Sequence, residues 1–469
     1  MKRPISLAVV LALLLPVAGR SGAAEIKAEG EWMIEALFGG NGWDFTGRND
    51  PRSLSAGKGS AFDVWTRLRT QFDFVVSEDL RGVLATEIGS SKWGASGVYD
   101  LGRTPVAVGV RRAYIDFNLP RSKANAKIGF QGVTLPNEIG EGSFILDDEL
   151  SAVLLHLPLA DSVGLLAVYG RPLSGNPAYS QPAPRRAFMD LGILSLPVNF
   201  EKFRVNPFAM YAYSAAEAAS QTAAYPEGLY AQNATAERAR SALWLGVSFG
   251  LDVLDPVRIR GDLNYGRAGA ARSQDRKSGW LFDLAVEYTG LSFATPELLF
   301  AWTSGESGNA TTAKGGASTR MPILTQDDWA VGSFFFGGET LMAGAVGARE
   351  SSQGFWALGL SLKDMRFAEK LSHTVHVLYV RGTNSRDVGA RFTTAANQGN
   401  AHNVQFGRTL TTRDSLWEFD CNSRYPIHPG LTASLELGLL VPHFSSEVWG
   451  SGYSGAPAHK VSLGLLYEF

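Results

Sequence analysis

The chain has 469 residues, with 43 Lys and Arg against 45 Asp and Glu, 52 glycines and one cysteine. A balance this close to neutral offers no basic surface to a polyanion, so nucleic acid is not an expected partner. Cys421 alone makes no intramolecular disulfide, and no Cys/His cluster has metal-ligand spacing, so neither a disulfide framework, a metal nor a cofactor is expected.

The first segment in chain order stands outside the fold. Lys2 and Arg3 precede an apolar stretch over 5–18, and Gly22-Ala23-Ala24 supplies small residues before Glu25. That order predicts a secretory signal peptide over 1–24, cleaved after Ala24. The run is shorter than the ~20 residues of a spanning helix. It holds three of the bases (Lys2, Arg3, Arg20) and no acid, which leaves residues 25–469 with a net charge of −5. No later apolar run reaches ~18 residues, and no linker or low-complexity block divides 25–469. One large closed sheet is expected.

From there the period is two. Thr66, Leu68, Thr70, Phe72 and Phe74 alternate with Arg67, Arg69, Gln71 and Asp73. Ala126, Ile128 and Phe130 alternate with Lys127, Gly129 and Gln131. Val257, Ile259, Leu263 and Tyr265 oppose Arg258, Arg260, Asp262 and Asn264, and Trp280, Phe282, Leu284, Val286 and Tyr288 oppose Asp283 and Glu287. Trp417 and Phe419 oppose Glu418, Asp420, Asn422 and Arg424. The last strand is the clearest: Val461, Leu463, Leu465, Tyr467 and Phe469 on one face, Lys460, Ser462, Gly464, Leu466 and Glu468 on the other. Strands of soluble sheets average about half this length, whereas a tilted membrane strand needs ~9–11 residues. The charged parity cannot face lipid, where Arg or Lys costs roughly 2–4 kcal/mol at the midplane. It therefore lines an aqueous interior. Trp280, Tyr288, Trp417, Tyr425, Tyr467 and Phe469, near strand ends, read as interfacial girdles.

Short connections at 77–79, 120–124, 158–162, 198–202, 252–256, 290–296, 363–371 and 426–430 alternate with long polar ones at 38–61, 91–105, 134–149, 171–186, 214–239, 267–278, 304–353, 383–412 and 442–457. Short periplasmic turns and long external loops are the pattern of outer-membrane barrels. The alternation predicts an all-β, antiparallel transmembrane barrel of 18 strands. A hairpin inside 329–349 would make 20, and loss of the weaker segments 151–157 and 187–197 would make 16.

Several segments resemble the homotrimeric outer-membrane porins of sulfate-reducing bacteria. They are TRLRTQFDFVVSEDLRGVLATEIGSSKWG (66–94), VRRAYIDFNLP (110–120), KIGFQGVTLPN (127–137), DPVRIRGDLNYG (255–266), STRMP (318–322) and LSHTVHVLYVRGTN (371–384). The likeness runs from GEWM (30–33) to Phe469. It implies a trimeric channel in the outer membrane, with lipid and other copies of the chain as partners. It implies no catalytic residues.

In general diffusion porins the third external loop folds into the lumen. The third long connection here, TLPNEIGEGSFILDDE (134–149), has a similar Pro-Asn-Glu-Ile-Gly turn at Pro136. The expected constriction loop therefore presents Glu138, Glu141, Asp147, Asp148 and Glu149. The basic wall residues of inward parity are Arg67, Arg69, Arg112 and Lys127. Acids facing bases across a narrow passage would create a transverse field that tunes ion selectivity. The bland alternative is an exposed acidic loop beside ordinary lumen charges. Calcium at Asp147-Asp148-Glu149 lacks EF-hand spacing.

An enzyme is not expected. His443 and Ser445 have the spacing of an outer-membrane phospholipase pair, but lie beyond Pro442 with no third group to orient the His. His373 and His376 fall on opposite faces of a strand. The expected function is passive diffusion of small hydrophilic solutes and ions. The alternatives are a substrate-specific channel and a structural or adhesive barrel plugged by its loops.

Overall fold

The structure is a computed structural model that describes residues 24–40, 60–94, 108–140, 142–174, 188–214, 240–269, 276–308, 317–324, 354–387, 410–449 and 457–469. Its strands are β1 (Glu25–Gly40), β2 (Ser60–Ser77), β3 (Leu80–Lys92), β4 (Val108–Asn118), β5 (Asn125–Thr134), β6 (Asp147–Ala160), β7 (Val163–Ser174), β8 (Phe188–Ser195), β9 (Val198–Phe200) and β10 (Phe203–Ser214). They continue as β11 (Arg240–Leu254), β12 (Val257–Gly269), β13 (Lys277–Tyr288), β14 (Thr295–Thr303), β15 (Phe355–Ala368), β16 (Leu371–Gly382), β17 (Ser415–His428), β18 (Leu431–His443) and β19 (Ala458–Glu468). One helical turn, α1 (Ser446–Trp449), precedes β19.

All neighbours pair antiparallel. β8 and β9 are two halves of one stave, since each pairs with β7 and with β10. The break falls at Leu196-Pro197, where proline has no N–H for the ladder. The gap is bridged from outside: Gly164 N–H donates to Pro197 O at 2.9 Å and Leu196 N–H to Pro207 O at 3.0 Å. Closure is by β1 on β19, with Glu31 opposite Glu468 and Gly40 opposite His459. The result is the expected closed barrel of 18 strands. Closure satisfies every sheet edge, the only way a sheet spans lipid. The hairpin considered at 329–349 lies outside the described residues, as does the expected signal peptide 1–24 apart from Ala24.

The two parities are sorted as a membrane requires. Ile26, Trp32 and Phe38 of β1, Phe62 and Phe74 of β2, and Leu463 and Leu465 of β19 are exposed, whereas Glu35, Asp262, Asp283 and Glu418 are buried. That inversion of a soluble protein places the outer surface in lipid. All six girdle aromatics are exposed on this outer face. Trp280 and Tyr288 sit at opposite ends of β13, about 27 Å apart along the strand at ~3.4 Å per residue.

Candidate functional site

Two segments leave the wall and fill part of the lumen. The first joins β5 to β6. Leu135 N–H still donates to Leu146 O at 3.1 Å, but between them the chain turns inward through Pro136 and Gly140, the latter at φ 94°. Its tip reaches a distant part of the wall. Glu138 N–H donates to both carboxylate oxygens of Asp262 on β12, at 3.1 and 3.0 Å, and Ile139 N–H donates to Asp262 Oδ2 at 3.1 Å. The Glu138 side chain meets Arg204 of β10 at 3.1 Å. Leu135, Ile139, Phe144, Ile145 and Leu146 are buried against inward side chains including Leu150, Met189, Phe208 and Trp244.

The second segment is 317–324, from the long excursion between β14 and β15. Ser278 N–H donates to Ser318 O at 3.1 Å, and Trp244 Nε1–H donates to Pro322 O at 2.7 Å. A Cβ on Gly279 would lie 2.4 Å from Met321 N, so only glycine lets the segment lie against β13 here. Met321 and Ile323 are buried in the same apolar cluster, which extends to Phe355, Ala357, Leu378 and Val380. Leu324 N–H donates to Ile145 O at 2.9 Å, joining the two segments.

The opposite arc, β1–β5, keeps a charged inward face. Arg67 Nη2 meets Glu31 Oε1 at 3.1 Å. Arg69 bridges Glu87 at 2.8 Å and Glu31 at 3.5 Å. Arg111 lies 3.6 Å from Glu87 and 2.5 Å from Glu149, which Arg112 also approaches at 3.4 Å. Nearer the short turns, Arg81 holds Asp73 at 2.7 Å and Asp116 at 2.9 Å. The Arg69 side chain is 31% exposed and that of Arg81 40%. Pairs this wet contribute at most about 1 kcal/mol each, so the network orients charge towards water more than it holds the barrel together. A cavity of about 750 Å³ opens at this end, lined by Glu25, Lys27, Asp73, Arg81, Asp116 and Asn125 among others.

The residues singled out from the sequence are distributed differently from the expected facing arrays. Glu138 does enter the lumen, but its partner is Arg204, not one of the four wall bases. Arg67, Arg69 and Arg112 pair with acids of β1, β3 and β6. Lys127 Nζ lies 5.9 Å from the centre of the Tyr114 ring. Asp147, Asp148 and Glu149 belong to the wall rather than to the loop, because the β5–β6 ladder continues as far as Thr134 opposite Asp147. Thr134 Oγ1 donates to Asp147 at 2.8 Å, and Asp148 accepts the Glu149 N–H at 2.8 Å. Glu141 lies outside the described residues. Among the described residues no three His, Cys, Asp or Glu converge as metal ligands.

Arg111 was missed because strict alternation puts it on the lipid side. The β3–β4 register slips there: Ala85 is opposite Arg112, and the next residue, Thr86, is opposite Val110. Arg111 is the extra residue of a bulge, which re-aims its side chain. Gly132 also matters, since a Cβ there would come within 3.1 Å of Arg112 Nη2. His373 and His376 do fall on opposite faces: His376 Nδ1 and Ser361 Oγ are 2.7 Å apart and buried, while His373 meets Ser423.

No protein-family profile matches the chain, and no curated protein matches it. Solved structures share its fold. OccAB3 of Acinetobacter baumannii superposes with a TM-score of 0.53 at 10% identity, covering 94% of this chain and 99% of that one. OpdQ of Pseudomonas aeruginosa gives 0.50 at 10% identity over 94% and 98% of the two chains. A BenF-like porin from Pseudomonas fluorescens Pf-5 gives 0.50 at 9% identity over 96% and 100%. At such identities the likeness is one of fold.

Proposed function

We propose that this chain is a porin, carrying small hydrophilic solutes and ions passively down their gradients, with no reaction and no cofactor. The barrel resides in a bacterial outer membrane. The observation that carries the reading is the division of the lumen. Segments 135–146 and 317–324 fill one side, and the partly exposed ion pairs of β1–β5 face what is left. Water and ions pass along a charged wall, and the filling sets the width. The fold shared with a BenF-like porin supports it. Residues 1–24 act as the export leader, and the resemblance to homotrimeric porins supports three copies per assembly.

Conductance of the purified protein in planar bilayers, with reversal potentials in a salt gradient, tests this. A barrel that never conducts would be the plugged structural one. A second reading is favoured by the crowding of Arg67, Arg69, Arg111 and Arg112 into one arc: a channel specific for small organic anions. Saturable block of the current by one such anion separates it from general diffusion.

A further inference from the structure

Asp262 and Asp283 stand directly opposite each other on β12 and β13. Both lie on the inward parity, and both are 0% exposed. The two inward carboxyl groups are therefore cross-strand neighbours on one face of the sheet. Asp262 also receives the Glu138 and Ile139 N–H groups of the inward loop. Among the described residues, neither carboxyl oxygen of Asp283 has a hydrogen-bond partner.

The surrounding charges are engaged elsewhere. Arg260, two residues along β12, is bonded to Glu287 and lies 3.5 Å from Glu297. Lys363 of β15 holds Glu297 at 2.6 Å and Glu287 at 3.4 Å. Arg204 of β10 serves Glu138 and Asp252. Opposite Asp262 on β11 is Ser248, and opposite Asp283 on β14 is Ala301, neither of them charged. The loop itself adds a further anion, Glu138.

Two ionised carboxylates side by side on adjacent strands, away from water and without a cation of their own among the described residues, repel strongly. An O–H on one, donated to the other, removes the repulsion and gives both a hydrogen bond. A metal ion would need several oxygen ligands. The oxygens of Asp262 already face N–H groups, and among the described residues no third acid, His or Cys completes a site.

We propose that Asp262 and Asp283 share one proton and form a latch that pins the tip of the inward loop to the wall. This rests on the channel reading for its purpose, though not for its chemistry. Asp262 is the positioning residue for the loop, and Asp283 keeps it in place by donating the proton. When alkaline pH removes that proton, two anions are left side by side. They separate by letting water in, Asp262 lets go of Glu138 and Ile139, and the loop tip comes free.

Asp283→Asn keeps a donor towards Asp262 but has no proton to lose. Asp262→Asn removes the carboxylate that takes both loop N–H groups. The full refolded chain is followed from about pH 5 to about pH 10 by three readouts: hydrogen exchange at 138–139, the infrared carbonyl band of a protonated carboxyl, and single-channel conductance. In the wild type, loss of the band, loss of amide protection and a step up in conductance coincide on the alkaline side. Asp283→Asn keeps the protection and the neutral-pH conductance, and loses that band and the step. Asp262→Asn exchanges like a free loop at every pH. The latch is overturned if the wild type lacks the band, or if Asp283→Asn retains both band and step. A barrel that does not conduct at any pH defeats the channel reading, while exchange and infrared still decide the latch.

Discussion

Leu324 donates its backbone N–H to the carbonyl oxygen of Ile145 at 2.9 Å, tying together two segments that come from different external connections. Both are packed into the same apolar cluster. They therefore move, or stay, as one body.

Deleting 137–146 should raise single-channel conductance and also loosen 317–324, read as faster hydrogen exchange at 321–324. Removing the loop strips Leu324 of its acceptor and Met321 and Ile323 of part of their packing. Unchanged conductance at every salt concentration would mean that 135–146 does not set the width.

Charge on the two sides of the passage should act in opposite directions. Glu138→Gln leaves Arg204 with only Asp252 and should shift the reversal potential towards anions. Neutralising Arg69 and Arg111 should shift it towards cations, because Glu87 then loses both of these arginines while Glu31 and Glu149 are each left with one, Arg67 and Arg112. Both shifts should shrink as salt rises and the Debye length falls towards ~3 Å at 1 M. Shifts of the same sign would refute the assignment of the water-filled side.

Trp244→Phe tests the fastening of 317–324. It removes the Nε1–H donated to Pro322 O and leaves a buried carbonyl unmatched, at a cost of about 1–3 kcal/mol. The segment should become sensitive to protease while heat-modifiable gel migration, the mark of the intact barrel, persists. Loss of that migration would mean the hydrogen bond supports the wall itself.

Assembly is checked by size. Detergent-solubilised protein should migrate near three times the chain mass before boiling and at the chain mass after it. A monomer in several mild detergents would remove the trimer.

The wall was legible in the sequence wherever its inward face is polar. Lys460, Ser462 and Gly464 against Val461, Leu463 and Leu465 give β19, and Arg67, Arg69 and Asp73 give β2, because one face meets lipid and the other meets polar partners or water. The signal weakens in β6, where Leu150, Ala152 and Leu154 face the filling and Val153 and Leu155 face lipid. Hence 151–157 carries only a weak alternation although it lies well inside Asp147–Ala160. The site was less legible than the wall. Arg111 is hidden by a bulge that no spacing announces. The pairing of Glu138 with Arg204 joins residues 66 apart in sequence, and that of its amide with Asp262 joins residues 124 apart. A chord across a barrel leaves no periodic trace.

A wall that is apolar on both faces has a consequence before any membrane is reached. Segments 150–157, 242–251, 355–362 and 374–380 are rich in strand-forming residues and carry little charge at either parity. In an unfolded chain surrounded by water they have no face that prefers to stay wet, and they are long enough to stack on their counterparts in other chains. The charged half of the barrel does not share that tendency. Filling one side of the lumen therefore makes the same stretch the part of the nascent chain most in need of a holding chaperone on its way to the bilayer.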